Sequence, residues 1–490
     1  MDEREELLKR DREREKRREQ RRLAREKEVK KKKMIAAASA GAVLVLIILV
    51  SLVGTSISKK AKAEEAKEKA RQEAQALKKQ QEENTVEILA VGDNIAHEAV
   101  RDSGTEINGV MNYDQVYQAV KEDVEAADLA IVTQETIFVE DENDVSGYPS
   151  FGTPTAFGDA LVDTGFDVIA SATNHTLDKG TDSINFTVDW WEQNHPDTVV
   201  LGIHKSQEEA DEITVVPCKG LKIAMVDYTY SLNGLELPQG EDYLVDVFDE
   251  DKAREDIRRA KELGDVVVAV MHVGIEYDQD IDEETQAWTD LFLEEGVDIV
   301  IGSHPHVVRT MEMLTGEDGH QMLVYYSLGN FIATQNDLPS IMGAMAKITV
   351  RKDVETGEIQ FPQQEFIPLI SHYNRDTPEA AVYKLEDYTQ ELLERHSAYA
   401  KNPGQFTLEY YQDLFEEIKA KGNGGTPDSD ESQGEMDQDS ADEADTNQGE
   451  AGGDSVGENG TNQEDADGNT TDGEDADQGD ETGVNTGRAA

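Results

Sequence analysis

Residues 34–53 form one uninterrupted apolar and uncharged run, set directly behind a block of lysines. A segment of about 20 such residues is long enough, as a helix, to cross the roughly 30 Å hydrocarbon layer of a membrane. A core helix of that length is rarely apolar on every face. Ala61-Lys62-Ala63 resembles a signal-cleavage site, but the run exceeds the 7 to 15 or so residues of a signal h-region and the basic region before it is long. The segment therefore reads as an uncleaved signal anchor. The Lys/Arg excess in residues 1–33 belongs in the cytoplasm by the positive-inside rule, which predicts an extracytoplasmic location for everything after Val53.

The flanks do not read as globular. Residues 54–84 carry opposite charges at helical spacing with no apolar face, the pattern of a solvated helical stalk. Residues 422–490 are Gly, Asp, Glu, Asn, Gln, Ser and Thr almost throughout, a composition too poor in apolar side chains to offset its ordering entropy, so a disordered acidic tail is expected. The formal net charge is −58, which disfavours nucleic acid as a partner. Cys218 is the single cysteine, so no intrachain disulfide can form. Its setting in V-V-P-C-K points to a structural role.

Between the flanks, short apolar runs alternate with amphipathic stretches, which predicts an α/β domain over residues 85–370. Strands are expected at 86–91, 129–132, 168–172, 199–201, 223–226, 266–270, 299–301 and 323–326. Helices are expected at 114–126, 156–164, 182–193, 251–263 and 283–295, with a C-terminal helical extension over 371–421 carrying two more at 383–397 and 406–419.

The carboxyl ends of these strands carry the chemistry. They read G-D-N (Asp93), T-Q-E-T (Glu135), A-T-N-H (Asn174, His175), M-H-V-G (His272), G-S-H-P-H (His304, His306) and Y-S-L-G-N (Asn330). In open α/β sheets that edge is where ligands bind. Imidazole, carboxylate and amide donors suit zinc, manganese or iron(II) better than a calcium cage. On an extended backbone, His304 and His306 at i and i+2 would point to the same side, and Gly302 would permit close backbone approach.

With these blocks in place, the chain resembles the CapA family of bacterial capsule and poly-γ-glutamate biosynthesis proteins, whose domain is related to calcineurin-like metallophosphoesterases. The resemblance rests on V-G-D-N, Q-E-T, F-G-T-P at 151–154, A-T-N-H-T-L-D-K-G at 172–180, H-V-G-I-E-Y at 272–277, G-S-H-P-H and Y-S-L-G-N-F at 326–331. It implies a metallophosphoesterase-like layered α/β/β/α sandwich and two divalent metal ions. Asp93, Glu135 and His306 would hold one ion; Glu135, Asn174, His272 and His304 would hold the other. His175 would be the general acid, charged or oriented by Asp178, and Glu276, Tyr277 and Asn330 would contact substrate. Thr133-Gln134-Glu135 stands where the family reads Asn-x-Glu, Thr173 precedes Asn174 where it doubles the asparagine, and Ile95 stands where metallophosphoesterases open with Asp-x-His.

Two functions follow from the resemblance. One is a metal-dependent hydrolase at the cell membrane, acting on an anionic envelope polymer or with its synthesis complex. The other is a non-catalytic subunit that binds or guides such a polymer.

Overall fold

In strand β1 (Thr85–Asn94) every residue from Ile88 onward is buried, and its side chains divide by parity. Val86, Ile88 and Ala90 enter one apolar cluster, and Leu89 and Val91 another. A strand alternates its side chains between two faces, so a strand apolar on both has packed layers on either side. The computed structural model, which describes residues 3–422, shows what those layers are. The tail expected over 422–490 lies, beyond Gly422, outside the described residues.

The strands that follow are β2 (Thr105–Ile107), β3 (Val110–Asn112), β4 (Leu129–Gln134), β5 (Val168–Ala170), β6 (Val199–Leu201), β7 (Thr214–Cys218), β8 (Leu221–Thr229) and β9 (Val266–His272). Then come β10 (Ile299–Ser303), β11 (Met311–Thr315), β12 (Gln321–Tyr325), β13 (Asn330–Ile332), β14 (Met342–Lys352), β15 (Ile359–Asn374) and β16 (Glu379–Lys384). One sheet runs β16-β15-β14-β1-β4-β5-β6 with β13 also pairing β1, and a second runs β11-β12-β10-β9-β8-β7. β1, β4, β5 and β6 are parallel, as are β8, β9, β10 and β12.

The inner faces of the two sheets share one core, in which Ile88, Ile131 and Val168 meet Ile223, Val268 and Ile301. Outside the first sheet, Phe157, Leu161 and Trp191 of helices Ala156–Thr164 and Thr181–Asn194 cover it. Outside the second, Ile257, Trp288 and Phe292 of helices Glu250–Leu263 and Glu283–Glu295 do the same. The result is a mixed α/β fold with two sheets face to face and helices on both outer surfaces.

Several expectations need correction. The helix expected at 114–126 is two short ones, Asp114–Tyr117 and Lys121–Ala126, because Val120 donates to Tyr117 O in a tightened turn between them. The helix expected at 383–397 starts in β16, passes through a single 3-10 turn at Leu385–Asp387 and is α-helical only over Gln390–Arg395. β14, β15 and β16 extend the first sheet antiparallel, and the boundary expected at residue 370 falls inside β15. Pro362 and Pro368 make β15 hard to read as a strand, yet both lie before Leu369, where pairing with β16 begins. A missing N–H is tolerated where one side of a strand is free.

Residues 34–53 lie within a single helix, α1 (Glu3–Glu83), which is exposed throughout its apolar stretch and is long and apolar enough to cross a membrane. Its end is tied to the domain: Gln81 donates to Lys352 O and accepts from Val354 N, and Glu83 O accepts from Gly220 N.

Asp227, in β8, clamps the two sheets together near their carboxyl edges. Its Oδ2 accepts the backbone N–H groups of Ser171 and Ala172, both at 2.9 Å, just beyond β5. Burial, with the nearby charge of Asp246, pushes its carboxyl up to about 8, although the two N–H groups oppose the shift. A carboxyl raised in the folded state holds its proton longer there than in the unfolded chain. The stability it contributes is therefore intact below the ordinary value of about 4 and is lost as pH rises toward about 8. Relative to Asp227→Asn, the wild type should lose up to about 1.4 kcal/mol per pH unit across that window. Urea unfolding of both proteins from about pH 5 to about pH 9 measures the slope, and a difference that stays constant with pH would refute this account.

Candidate metal centre

The parallel strands of both sheets end at one seam, and the polar residues at their ends meet there. Asp93, at the end of β1, is buried; its Oδ2 accepts His304 N at 3.2 Å and lies 3.2 Å from His306 Nδ1. Its Oδ1 lies 3.7 Å from His272 Nδ1 and makes no hydrogen bond. Glu135, just past β4, is equally buried, and neither carboxylate oxygen has a partner among the described residues. Its Oε1 is 3.8 Å from His306 Nε2 and 3.9 Å from His175 Nε2. One donor atom from each of Asp93, Glu135 and His306 falls within 4.8 Å of the others.

Asn174 Oδ1 lies 2.9 Å from His272 Nε2, and His272 Nδ1 lies 2.8 Å from Ser303 Oγ. The His304 ring stands 4.8 Å from that of His272, and its Nδ1 is buried without a partner. The backbone that presents the two histidines of G-S-H-P-H is not extended: φ is 95° at His304 and 59° at His306. Both are left-handed, a conformation that costs an L-residue on the order of 1–3 kcal/mol. Asp93 helps to hold the turn by accepting His304 N, and the Asn330 amide donates to His306 O at 3.3 Å. Gly302 is tightly enclosed as expected, since a Cβ there would collide with Tyr326 O.

These residues fit a divalent cation. Buried carboxylate oxygens without hydrogen-bond donors are costly unless a positive charge meets them, and two carboxylates with imidazole form a borderline donor set. Burial pushes Glu135 well above the usual carboxylate range; His306 opposes this and the charge of Asp93 adds to it. Burial also lowers His272 strongly and His304 to about 3, leaving both rings in the neutral form that binds metal. For His306, burial is outweighed by Glu135 and Asp93, which hold it up at about 9.

Beside the centre, His175 Nδ1 lies 2.7 Å from Asp178 Oδ2, and Phe151 packs edge-on against the ring at 4.8 Å. Asp178 also accepts Phe151 N at 2.6 Å, so it anchors the loop as well as the imidazole. A cavity of about 640 Å³ opens here, with Glu135, His175, Glu276, Tyr277 and His306 on its walls. The cavity does not include Asn330 among its lining residues; that side chain is fully buried and bonds to His306 O, Gln335 and Ser340 O.

Sequence reasoning missed four residues. His97, Arg101 and Arg375 line the same cavity. Arg309, fully buried, donates to Asp278 O, Ile275 O and Asp282 and thereby fixes the loop that carries Glu276 and Tyr277. Of these, only the G-D-N-I-A-H spacing of His97 from Asp93 offered a signal in the sequence.

A family model described as bacterial capsule synthesis protein PGA_cap matches residues 87–335. The PGA biosynthesis protein CapA of Bacillus subtilis (strain 168) is 27% identical over 202 residues, which is 39% of this chain and 49% of that protein. The capsule biosynthesis protein CapA of Bacillus anthracis is 26% identical over 180 residues, 36% of this chain and 42% of that one. The chain thus spans about half the length of the curated relatives it matches. Among solved structures, a hypothetical protein from Thermus thermophilus aligns with 61% of this chain and 99% of its own length at 12% identity and a TM-score of 0.33. The 5'-nucleotidase from Candida albicans SC5314 aligns with 68% of this chain and 57% of its own at 12% identity and a TM-score of 0.32.

Glu135→Gln separates ligation from packing, because it removes the charge and keeps the shape. Without metal the variant should gain stability over wild type as pH rises, since burial and the neighbouring Asp93 make ionising Glu135 costly and Gln cannot ionise. With a divalent metal at about 100 times its Kd, the wild type should gain about 2.7 kcal/mol and the variant far less. Differential scanning calorimetry with metal analysis measures both, and equal metal uptake by the variant would exclude Glu135 as a ligand.

Proposed function

Because this chain belongs to the family of bacterial capsule synthesis proteins of the PGA_cap type, we propose that it is a membrane-anchored, extracytoplasmic, metal-dependent hydrolase acting on a capsule or poly-γ-glutamate polymer. One observation carries the reading: the buried Asp93–Glu135–His306 group stands beside the His175–Asp178 pair at the wall of a single cavity. The metallophosphoesterase-like form of the sandwich and the two-ion layout belong to the same reading. In it, Asp93, Glu135 and His306 would hold one ion, and Glu135, Asn174, His272 and His304 would hold the other. Divalent cations held there supply Lewis acidity toward a phosphoryl or carbonyl oxygen and make water a better nucleophile at neutral pH.

The protein's own groups do the rest. Asp178 holds His175 Nδ1, which leaves Nε2 on the side of Glu135 and the cavity. From there Nε2 donates a proton to the leaving oxygen, or to the leaving nitrogen of a γ-glutamyl bond. Glu276 and Tyr277, fixed from below by Arg309, border the path of the substrate.

A second reading is favoured by one position. Ile95 is buried and apolar where metallophosphoesterases carry a histidine, which suits a polymer-binding or export subunit that has lost catalysis.

Detergent-solubilised full-length chain, loaded with manganese, zinc or iron(II), should hydrolyse a phosphoester or a γ-glutamyl amide. His175→Ala should lower kcat by about 10²-fold to 10⁴-fold with bound metal unchanged, and Asp178→Asn, which removes the carboxylate that orients the ring, should lower kcat in the same direction. Binding of polymer without hydrolysis by any metal-loaded form would establish the second reading. Protease added to intact cells should remove residues 422–490, and protection of that segment would reverse the assigned orientation.

A further inference from the structure

The wall of the cavity away from Asp93 carries charge that the metal centre does not use. Arg101 and Arg375 both line it, in a chain with 104 acidic residues and 46 basic ones. Elsewhere in the domain Arg254, Arg258, Arg309 and Arg395 each meet a carboxylate. Among the described residues, neither Arg101 nor Arg375 forms an ion pair, although Glu98, Glu276 and Asp337 line the same cavity.

Both guanidinium groups are held in place by neutral partners instead. Arg101 Nη1 donates to Ala96 O at 2.7 Å and to Ser146 O at 3.0 Å, which fixes the group and leaves its Nη2 and Nε without a protein acceptor. Arg375 Nη2 donates to Thr334 O at 2.9 Å, and its guanidinium lies 5.4 Å from the centre of the Tyr373 ring. Thr334 N in turn meets His97 Nδ1 at 3.3 Å, and His97 directly follows Ala96, so the two arginines reach one wall from either side of His97. Carbonyl partners leave the charge uncompensated, and a guanidinium fixed before binding loses less freedom when it takes a planar oxyanion on its free edge.

We propose that Arg101 and Arg375 form a cationic subsite for a carboxylate or phosphate of the substrate, distinct from the group presented to the metal centre. The inference rests on reading this cavity as the substrate site, and it narrows the substrate class to molecules with an oxyanion beside the scissile bond. A γ-linked glutamate chain offers a free α-carboxylate at every residue, and a phosphate-bearing polymer offers phosphodiesters; the subsite chemistry is common to both.

The test is isothermal titration of the full-length chain in detergent, with metal removed by chelator, against γ-Glu-Glu dipeptide, its fully amidated analogue and inorganic phosphate. The wild type should bind an oxyanion probe and not the amide, with affinity falling as salt rises. Arg101→Met and Arg375→Met should each weaken binding by at least about tenfold, Arg101→Lys should weaken it less, and metal content and melting temperature should stay at wild-type values. Dipeptide preferred over phosphate would identify a carboxylate site, and the reverse a phosphate site. Equal binding of the amide, or variants that bind as wild type does, would overturn the proposal. Because no metal is present, loss of hydrolysis in a separate metal-loaded assay would defeat the hydrolase reading while leaving the subsite standing.

Discussion

Two carboxylates buried side by side, Asp93 and Glu135, impose the constraint to which the rest of the domain answers. Three of their four oxygens have no hydrogen-bond partner among the described residues, and an uncompensated buried ion costs several kcal/mol even after the protein relaxes around it. The cost is met by a cation, from a metal or from His306, or by the proton that burial makes Glu135 retain. Bringing imidazoles that close requires the second sheet to abut the first at their carboxyl edges, which is where Asp227 and the contact of His272 with Asn174 join them. It also requires the left-handed turn at His304 and His306, whose strain is borne by hydrogen bonds to Asp93 and Asn330.

The parallel core was legible in the sequence because its strands are apolar on both faces and short. The candidate ligands stood out because each lies at or just past the end of such a strand. β14 to β16 were not, since M-G-A-M-A-K-I-T-V carries Gly and Lys within the strand and β15 carries two prolines. Their pairing also joins residues far apart, Thr85 with Arg351 for instance, and no local pattern encodes that. The same is true of Arg101, Arg309 and Arg375, whose roles arise from contacts across the fold. The spacing of G-S-H-P-H was read correctly as two histidines converging, but for the wrong backbone reason. Alternation on an extended chain was assumed where a left-handed turn does the work.

Ile95 looks like a loss when set against a ligand histidine, yet the structure gives it a different neighbourhood. It clusters with Phe151 and Ala333, and Phe151 lies edge-on to both His97 and His175. That arrangement puts an apolar side chain between the two imidazoles, on the wall of the cavity that Glu135 also lines. Excluding water from one side of a charged site strengthens every electrostatic interaction inside it.

The placement of α1 relative to the cavity follows from the direction of β1. α1 ends at Glu83 and β1 begins at Thr85, so the helix joins the domain at the amino end of that strand, while Asp93 stands near its carboxyl end. Ten residues of strand at roughly 3.3 Å each separate the two by about 30 Å. The charged part of α1 from Lys59 to Glu83 adds, at about 1.5 Å per residue, roughly 40 Å between the apolar segment and the start of the domain. The cavity thus belongs to the end of the domain remote from α1. Arg101 and Arg375, which form no ion pair among the described residues, line that same cavity.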